Sequence, residues 1–382
     1  MIGQKIYVGC DSLSHLSDLL KTFGSKHVLI VRGKKSYESC GAQGLIGKIL
    51  FDNSCISYEY QDFEENPKIE DVQAGLSIIE NNPVDTILAV GGGSVMDMAK
   101  LIRFSHSYEG DLTGKSFEKK NALIKLIAIP TTAGTGSEVT QFAVAYKDKI
   151  KYSLDHEDVL PDVAMVYPPF TYNNPMYLTA CTGFDALAQA IESFWSVKAD
   201  AESLNYATLA IRKLWNSLPQ LVESPTEKLR EMVSEGAYWA GRAIGVTRTT
   251  AAHALSYSLT SHYGYPHGHA VALVFPAIFN LNVYALDYLS PLLDKDEYSH
   301  RIDSLFELLG VDKENGSRLI ADYISNLGLG LKENMPSGYE TAILISGVNL
   351  SRLGNNPIVL DTIKVTEIFE PFNTQFQSDR VT

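Results

Sequence analysis

The stretch DTILAVGGGSVMDMAKLIRF (85–104) limits the possible folds of this chain more than any other. Its first half is a short apolar run that ends in three glycines. Its second half carries apolar residues at helical spacing. A strand that feeds a helix through a glycine turn is half of a βαβ unit, and similar pieces surround it. KHVLIVRG (26–33) is a β-branched run closed by glycine, and SCISYEYQDF (54–63) alternates. DVQAGLSIIENN (71–82) has helical spacing, and ALIKLIAIPTT (122–132) is a strand stopped by Pro130. This alternation predicts an α/β domain whose parallel sheet is covered by helices on both faces. Such sheets bind ligands beyond the C-terminal ends of their strands.

The texture changes after PDVAMVYPPF (161–170). The segments 179–197, 204–218, 229–245 and 253–264 all carry apolar residues at helical spacing, and the chain reads as helices to about residue 330. VNLSRLGNNPIVLDTIKVTEIFEPF (348–372) reads as a loop and a short helix. A chain of 382 residues exceeds one hydrophobic core. The expected division is an α/β dinucleotide-binding domain over 1–175 and an all-helical metal- and substrate-binding domain over 176–382. The boundary falls in the proline-rich stretch Pro161 to Pro175.

The net charge of −13 argues against nucleic acid as a partner, because backbone binding needs concentrated Lys and Arg. An anionic substrate would need a local basic patch in its pocket. The four cysteines, Cys10, Cys40, Cys55 and Cys181, form no C-x-x-C pair and read as reduced thiols. The first residues lack the apolar run of a signal peptide, and no stretch reaches the roughly 18 apolar residues of a membrane span. A cytoplasmic protein with no membrane partner is expected.

Four segments carry chemistry. In GGGSVMDMAK (91–100), Gly91, Gly92 and Gly93 let a ligand approach the backbone closely. A helix beginning near Ser94 turns free N–H groups and a positive dipole end toward a pyrophosphate. A plain tight turn explains the same glycines, and Asp97 and Lys100, three apart, can simply pair on the helix surface. PTTAGTGSEVT (130–140) follows a second strand and offers Thr131, Thr132 and Thr135 to phosphate or ribose oxygens. Two such loops at strand ends favour a shared dinucleotide crevice. In FDALAQAIES (184–193), Asp185 and Gln189 lie four apart and share a helix face. A buried carboxylate there needs a partner or a metal, although an Asp is also a common helix N-cap. HALSYSLTSHYGYPHGHA (253–270) holds His253, His262, His267 and His269, four of the nine histidines. Histidines gathered near an inward Asp are a metal-site pattern, with His262 reading as a surface residue.

Taken together, GGGS-x-x-D-x-x-K, PTT-x-GT-x-SE, G-x-DAL and PHG occur here in the order found in the iron-containing (group III) alcohol dehydrogenases, which the chain resembles over nearly its whole length. The resemblance implies an active site in a cleft between the two domains, with one Asp and three His binding a divalent metal. On this chain it assigns Asp185, His253 and His267, fourteen residues after His253, as ligands. The remaining ligand position holds Gln189, whose carbonyl is a candidate fourth ligand. A second family histidine is replaced by Tyr257, a candidate proton donor. The cofactor is NADP(H) or NAD(H), and the metal Fe2+ or Zn2+. Candidate cofactor-binding residues are Gly33, Asn66, Gly91, Gly92, Gly93, Ser94, Thr131, Thr132, Thr135 and Lys151. Members that prefer NAD tend to carry Asp where this chain has Gly33. With Arg32 and Lys34 flanking it, Gly33 predicts that a 2′-phosphate is accepted.

DALAQAIESFWS, RTTAAHALSYSLTS, YGYPHGHAVAL and LGNNP further resemble the phosphonoacetaldehyde reductases of this family. That likeness implies reduction of phosphonoacetaldehyde to 2-hydroxyethylphosphonate, with Arg248 and Gln189 contacting the substrate. The implied chemistry is reversible, metal-assisted reduction of a short aldehyde by a homo-oligomeric enzyme. Two rival readings stand beside it. One is a dehydrogenase for a neutral diol or short-chain alcohol. The other is a non-catalytic nucleotide-binding or assembly protein.

Overall fold

The computed structural model describes residues 3–148, 150–331, 341–346, 348 and 350–369. The chain forms two compact units. The first comprises Met1–Pro175 with Thr226–Gly241, and the second comprises Met176–Pro225 with Arg242–Thr382. The segment Thr226–Gly241, which a single boundary near residue 175 assigns to the helical part, packs with the first unit.

The first unit is built on strands β1 (Lys5–Val8), β2 (His27–Arg32), β3 (Ile56–Tyr60), β4 (Thr86–Gly91), β5 (Lys125–Pro130) and β8 (Val163–Val166). They form one six-stranded sheet in the order β1-β8-β5-β4-β2-β3, with every pairing parallel. A hairpin of β6 (Phe142–Lys147) and β7 (Ile150–Asp155) stands apart from the sheet. The central strands are apolar on both faces because both are covered. Val28, Ile30, Leu88, Val90, Ile127 and Ile129 pack with helices α1 (Leu16–Phe23) and α2 (Ala42–Asp52). The alternate residues Leu29, Val31, Ile87, Ala89, Leu126 and Ala128 pack with α3 (Ile69–Asn81) and α4 (Gly93–Ser107).

The strand order places a switch point between β2 and β4. The chain leaves β2 outward to β3, then returns past β2 to β4 and continues to β5 on the other side. Ligands of open α/β sheets bind at such a point. Gly33 and the three glycines 91–93 sit there, and the Gly33 N–H donates to the Val90 carbonyl at 3.3 Å.

The second unit contains α5 (Met176–Trp195), α6 (Ala201–Leu214), the end of α7 (Glu227–Thr247), α8 (Ala251–Tyr263), α9 (His267–Tyr284), α10 (Lys295–Leu309) and α11 (Gly316–Asn326). Helix α5 is buried almost all round from Thr179 to Trp195 and forms the axis of this unit. Trp195 stacks on Phe275 of α9 at 5.7 Å between ring centroids, and Phe184 meets the same ring edge-on. Of the predicted tail, Leu350–Asn355 forms a 3₁₀ turn, while residues 370–372 lie outside the described residues. No helix among the described residues is long and apolar enough to cross a membrane.

Candidate active site

In the first unit, helix α4 starts at Gly93, one residue before the position suggested by the sequence, with Gly92 as its N-cap and no side-chain capping bond. The Val95 and Met96 N–H groups donate to the Gly92 carbonyl at 3.0 and 3.1 Å, so those of Gly93 and Ser94 are the ones an anion would meet. The glycines are needed for space. A Cβ on Gly93 would lie 2.7 Å from Thr135 Cγ2, and one on Gly91 would lie 2.4 Å from Val95 Cγ2. A Cβ on Gly92 would come within 3.3 Å of Thr132 Oγ1. The Thr131 N–H donates to the Gly91 carbonyl at 2.9 Å, and the buried Thr131 hydroxyl has no partner among the described residues. Ser94 Oγ accepts from the Asn66 N–H at 3.2 Å, and Asn66 itself has a left-handed φ of 60°. Gly91–Ser94, Thr131, Thr132, Thr135 and Asn66 therefore gather at one strand-end crevice. Lys151 lies on β7, with its charge near Asp97.

Asp97 and Lys100 are not the surface pair that their spacing allows. Lys100 is fully buried. Its ammonium donates to Ser137 Oγ at 2.8 Å and to the Phe142 carbonyl at 2.9 Å. Asp97 accepts from Ser137 Oγ at 2.7 Å and from the Val144 N–H at 3.1 Å. These bonds tie the first loop's helix to the second loop and the hairpin. Burial, opposed by Asp97 and Glu138, pulls the Lys100 ammonium down to about 8, and burial lifts the Glu138 carboxyl to about 7. We expect Gly92→Val to abolish dinucleotide binding while leaving the fold intact, because the branched group occupies the space of the pyrophosphate. Cofactor affinity equal to the wild type in a fluorescence titration would show that the loop is only a turn.

In the second unit, three separated segments bring Asp185, His253 and His267 together. One ligand atom from each lies within 4.8 Å of the others. Asp185 is in the middle of α5 and not at an N-cap. Its Oδ1 lies 3.2 Å from His253 Nε2 and 3.8 Å from His267 Nε2. Close approach of α9 to α5 explains the glycine after His267. A Cβ on Gly268 would lie 1.9 Å from the Cys181 carbonyl and 3.1 Å from Asp185 Cβ.

Gln189 sits one turn after Asp185, buried, and its Nε2 donates to Asp185 Oδ2 at 3.0 Å. A carboxylate can only accept, so the amide nitrogen must face it. One N–H of the amide is taken by Asp185, and Oε1 is a buried acceptor with no partner among the described residues. An orphaned carbonyl oxygen beside a carboxylate and two imidazoles suits a hard or borderline divalent cation.

Glu192, which sequence reasoning passed over, anchors the site. It is fully buried, and its Oε2 makes a very short bond to His253 Nδ1. Its Oε1 accepts from Thr250 Oγ1 at 2.7 Å and from the Ala252 N–H at 2.9 Å, so it also caps the start of α8. The signal was present, since Asp185, Gln189 and Glu192 follow i, i+4, i+7 spacing on one helix face. Burial alone would push the His253 imidazole down. Glu192 and Asp185 outweigh it and raise it to about 10.

Tyr257 stacks on His267 with ring centroids 5.8 Å apart and planes at 12°. His262 is exposed. His269 is buried away from the cluster between the Tyr177 hydroxyl at 2.9 Å and the Gly330 carbonyl at 2.8 Å. Arg248 follows α7 with a left-handed φ of 64°, and its Nη1 donates to the Gly245 carbonyl at 3.0 Å. Asn355 of the LGNNP segment donates to the carbonyls of Thr247 and Thr249 and accepts from Ser196 Oγ, which fixes the backbone around Arg248.

Comparison with known proteins agrees with both halves. Residues 3–168 match the family model for iron-containing alcohol dehydrogenase, and residues 179–336 match the model for the C-terminal region of the Fe-containing alcohol dehydrogenase family. Long-chain-alcohol dehydrogenase 1 of Geobacillus thermodenitrificans is 30% identical over 83% of this chain and 78% of its own length. The 1,3-propanediol dehydrogenase of Citrobacter freundii is 32% identical over 73% and 74%. The crystal structure of sulfoacetaldehyde reductase from Bifidobacterium kashiwanohense in complex with NAD+ superposes with a TM-score of 0.83 at 29% identity, covering 97% of both chains. The iron-containing alcohol dehydrogenase of Thermotoga maritima gives 0.82 at 26%, covering 97% of this chain and 98% of the other. With the glycine turn at the sheet's switch point and the Asp185–His253–His267 cluster in place, this chain belongs to the iron-containing alcohol dehydrogenase family and is an oxidoreductase.

Proposed function

We propose that the chain catalyses reversible reduction of a short aldehyde to a primary alcohol, with a divalent ion held by Asp185, His253, His267 and the Gln189 carbonyl. The observation that carries this reading is the convergence of three ligand atoms beside a buried, unpartnered amide oxygen. When bound, a divalent ion polarises the carbonyl oxygen as a Lewis acid, and a reduced nicotinamide supplies hydride. Two oxygens and two imidazole nitrogens suit Fe(II) or Zn(II) without separating them. Asp185 gives the ligand set its one negative charge. Glu192 accepts from His253 Nδ1, which leaves Nε2 as the ligating atom and fixes the ring. Tyr257, lying flat against His267, occupies the place of the family's second histidine and holds the proton that the product oxygen takes up. In the first unit, the open N-terminus of α4 receives the pyrophosphate.

The substrate class we infer is a two-carbon aldehyde with an anionic head, phosphonoacetaldehyde in particular. Arg248 supports it as a cation on the turn between α7 and α8, five residues before His253. The sulfoacetaldehyde reductase likeness supports it too. A second reading, a neutral alcohol or diol, is favoured by Gln189, which offers an acceptor oxygen and so does not attract an anion. NADH oxidation with phosphonoacetaldehyde, sulfoacetaldehyde, butanal and 3-hydroxypropanal, with Fe(II) or Zn(II) present, tests both. We expect the anionic aldehydes to have the highest kcat/KM. Arg248→Gln should raise their KM at least about tenfold while sparing butanal. A wild-type kcat/KM for butanal or 3-hydroxypropanal above that for the anionic aldehydes, or an unchanged KM for the anionic aldehydes in Arg248→Gln, would favour the neutral reading. No turnover of any aldehyde would leave the non-catalytic alternative.

A further inference from the structure

Gly33 follows Arg32, the last residue of β2, at the switch point and has no side chain to meet an adenosine ribose. Its neighbours decide what a 2′-phosphate finds there. Arg32 Nε donates to Glu59 Oε2 at 2.6 Å, and Arg32 Nη1 donates to the Gly33 carbonyl at 3.2 Å. The guanidinium also lies over the ring of Tyr37, 5.1 Å from its centroid, and Tyr37 is buried. Arg32 is therefore anchored by a carboxylate, a carbonyl and an aromatic face. Its side chain is 14% exposed, whereas that of Glu59 is 42% exposed. The carboxylate, and not the cation, is the half of this pair that faces solvent. Glu59, the penultimate residue of β3, pairs in register with Ile30 of β2, and its carboxylate reaches along the strand to Arg32, the residue before Gly33. One guanidinium spans both.

We propose that Glu59 sets the dinucleotide choice of this enzyme. Its carboxylate takes the place of the acid missing at position 33, accepts the ribose hydroxyls of NAD(H), and repels the 2′-phosphate of NADP(H) while keeping Arg32 engaged. The proposal rests on the reading that a dinucleotide occupies the switch-point crevice. It departs from what Gly33 and its basic neighbours suggest as a string, because the charge that cancels Arg32 comes from a different strand, while Lys34 stays exposed to solvent.

The test is the dissociation constant of NADH and of NADPH for the full chain, by fluorescence titration, in the wild type, Glu59→Gln and Arg32→Gln. We expect the wild type to bind NADH at least about tenfold more tightly than NADPH. Glu59→Gln should move that ratio toward NADPH by at least about tenfold, mainly through tighter NADPH binding that weakens with added salt. Arg32→Gln should bind NADPH no better than the wild type does. Equal wild-type affinities, or an unchanged ratio in Glu59→Gln, would overturn the proposal. The wild-type ratio decides alone if the variant does not fold. Wild-type protein that binds neither dinucleotide would refute the crevice reading itself, so the two failures are distinguishable.

Discussion

His267→Ala should lower kcat/KM for the aldehyde by about 10²–10³-fold and release the divalent ion in the same step. Polarising a carbonyl is worth several kcal/mol, and the ion that does it depends on all of its ligands. His267 is the suitable ligand to remove, because its side chain is 32% exposed while Asp185 and His253 are almost completely enclosed. Truncation there leaves no buried charge without a partner, and the N-terminus of α9 is held by Gly268 against α5 whatever the side chain at 267. The variant should therefore fold, with near-native thermal stability in the ion-free form. Metal content per chain after dialysis, measured beside single-turnover reduction, checks both halves. Full activity in rigorously metal-free protein would refute Lewis-acid assistance.

Glu192→Gln should change how ion binding depends on pH. In the ion-free protein, Glu192 and Asp185 raise the His253 imidazole from 6.5 to about 10. A raised folded-state value means that the protonated ring stabilises the fold fully below pH 6.5, and that this contribution is lost as pH rises through about 10. A divalent ion must displace that proton. Its affinity in the wild type should rise about tenfold per pH unit between roughly pH 6.5 and 9. The neutral amide removes the main cause of the upward shift, so the slope flattens. It also removes the charge that makes His253 a strong ligand, and affinity at pH 9 should fall about 10–100-fold. In the ion-free form at neutral pH, breaking this buried pair should cost about 3–5 kcal/mol of stability. Zn(II) titration against a competing chelator at both pH values reads the slope. Parallel slopes in the two proteins would show that Glu192 only caps α8.

The glycine turn after β4 and the hydroxyl loop after β5 were legible because each is a local sequence: an apolar strand, a stop, then residues free of bulk. The helices of the second unit were legible from their spacing. Other parts were not. KIYV (5–8) is too short for alternation to mark it, yet it forms the edge strand β1 by pairing with β8. The hairpin 142–155 carries no asparagine–glycine turn to announce it. The segment Thr226–Gly241 reads as part of a continuous helix, and only packing assigns it to the first unit. There a Cβ on Gly241 would lie 2.6 Å from the Gly136 backbone.

By itself the sequence determined which side chains are chemically able to act: Asp185, His253 and His267 as candidate ligands, and the glycines and threonines of two loops as a candidate cradle. Only the tertiary structure decided what those groups are free to do. It turned the Gln189 amide so that its oxygen is the unpartnered atom, recruited Glu192 to His253 from another helix, buried Lys100, and neutralised Arg32 with Glu59 from the next strand. The physical reason is that the capacity to ligate or to donate belongs to a residue type, whereas its availability depends on which neighbours have already taken its protons and lone pairs. In this chain the neighbour of Gln189 lies one turn back on the same helix, and the others come from other elements, up to sixty-one positions away.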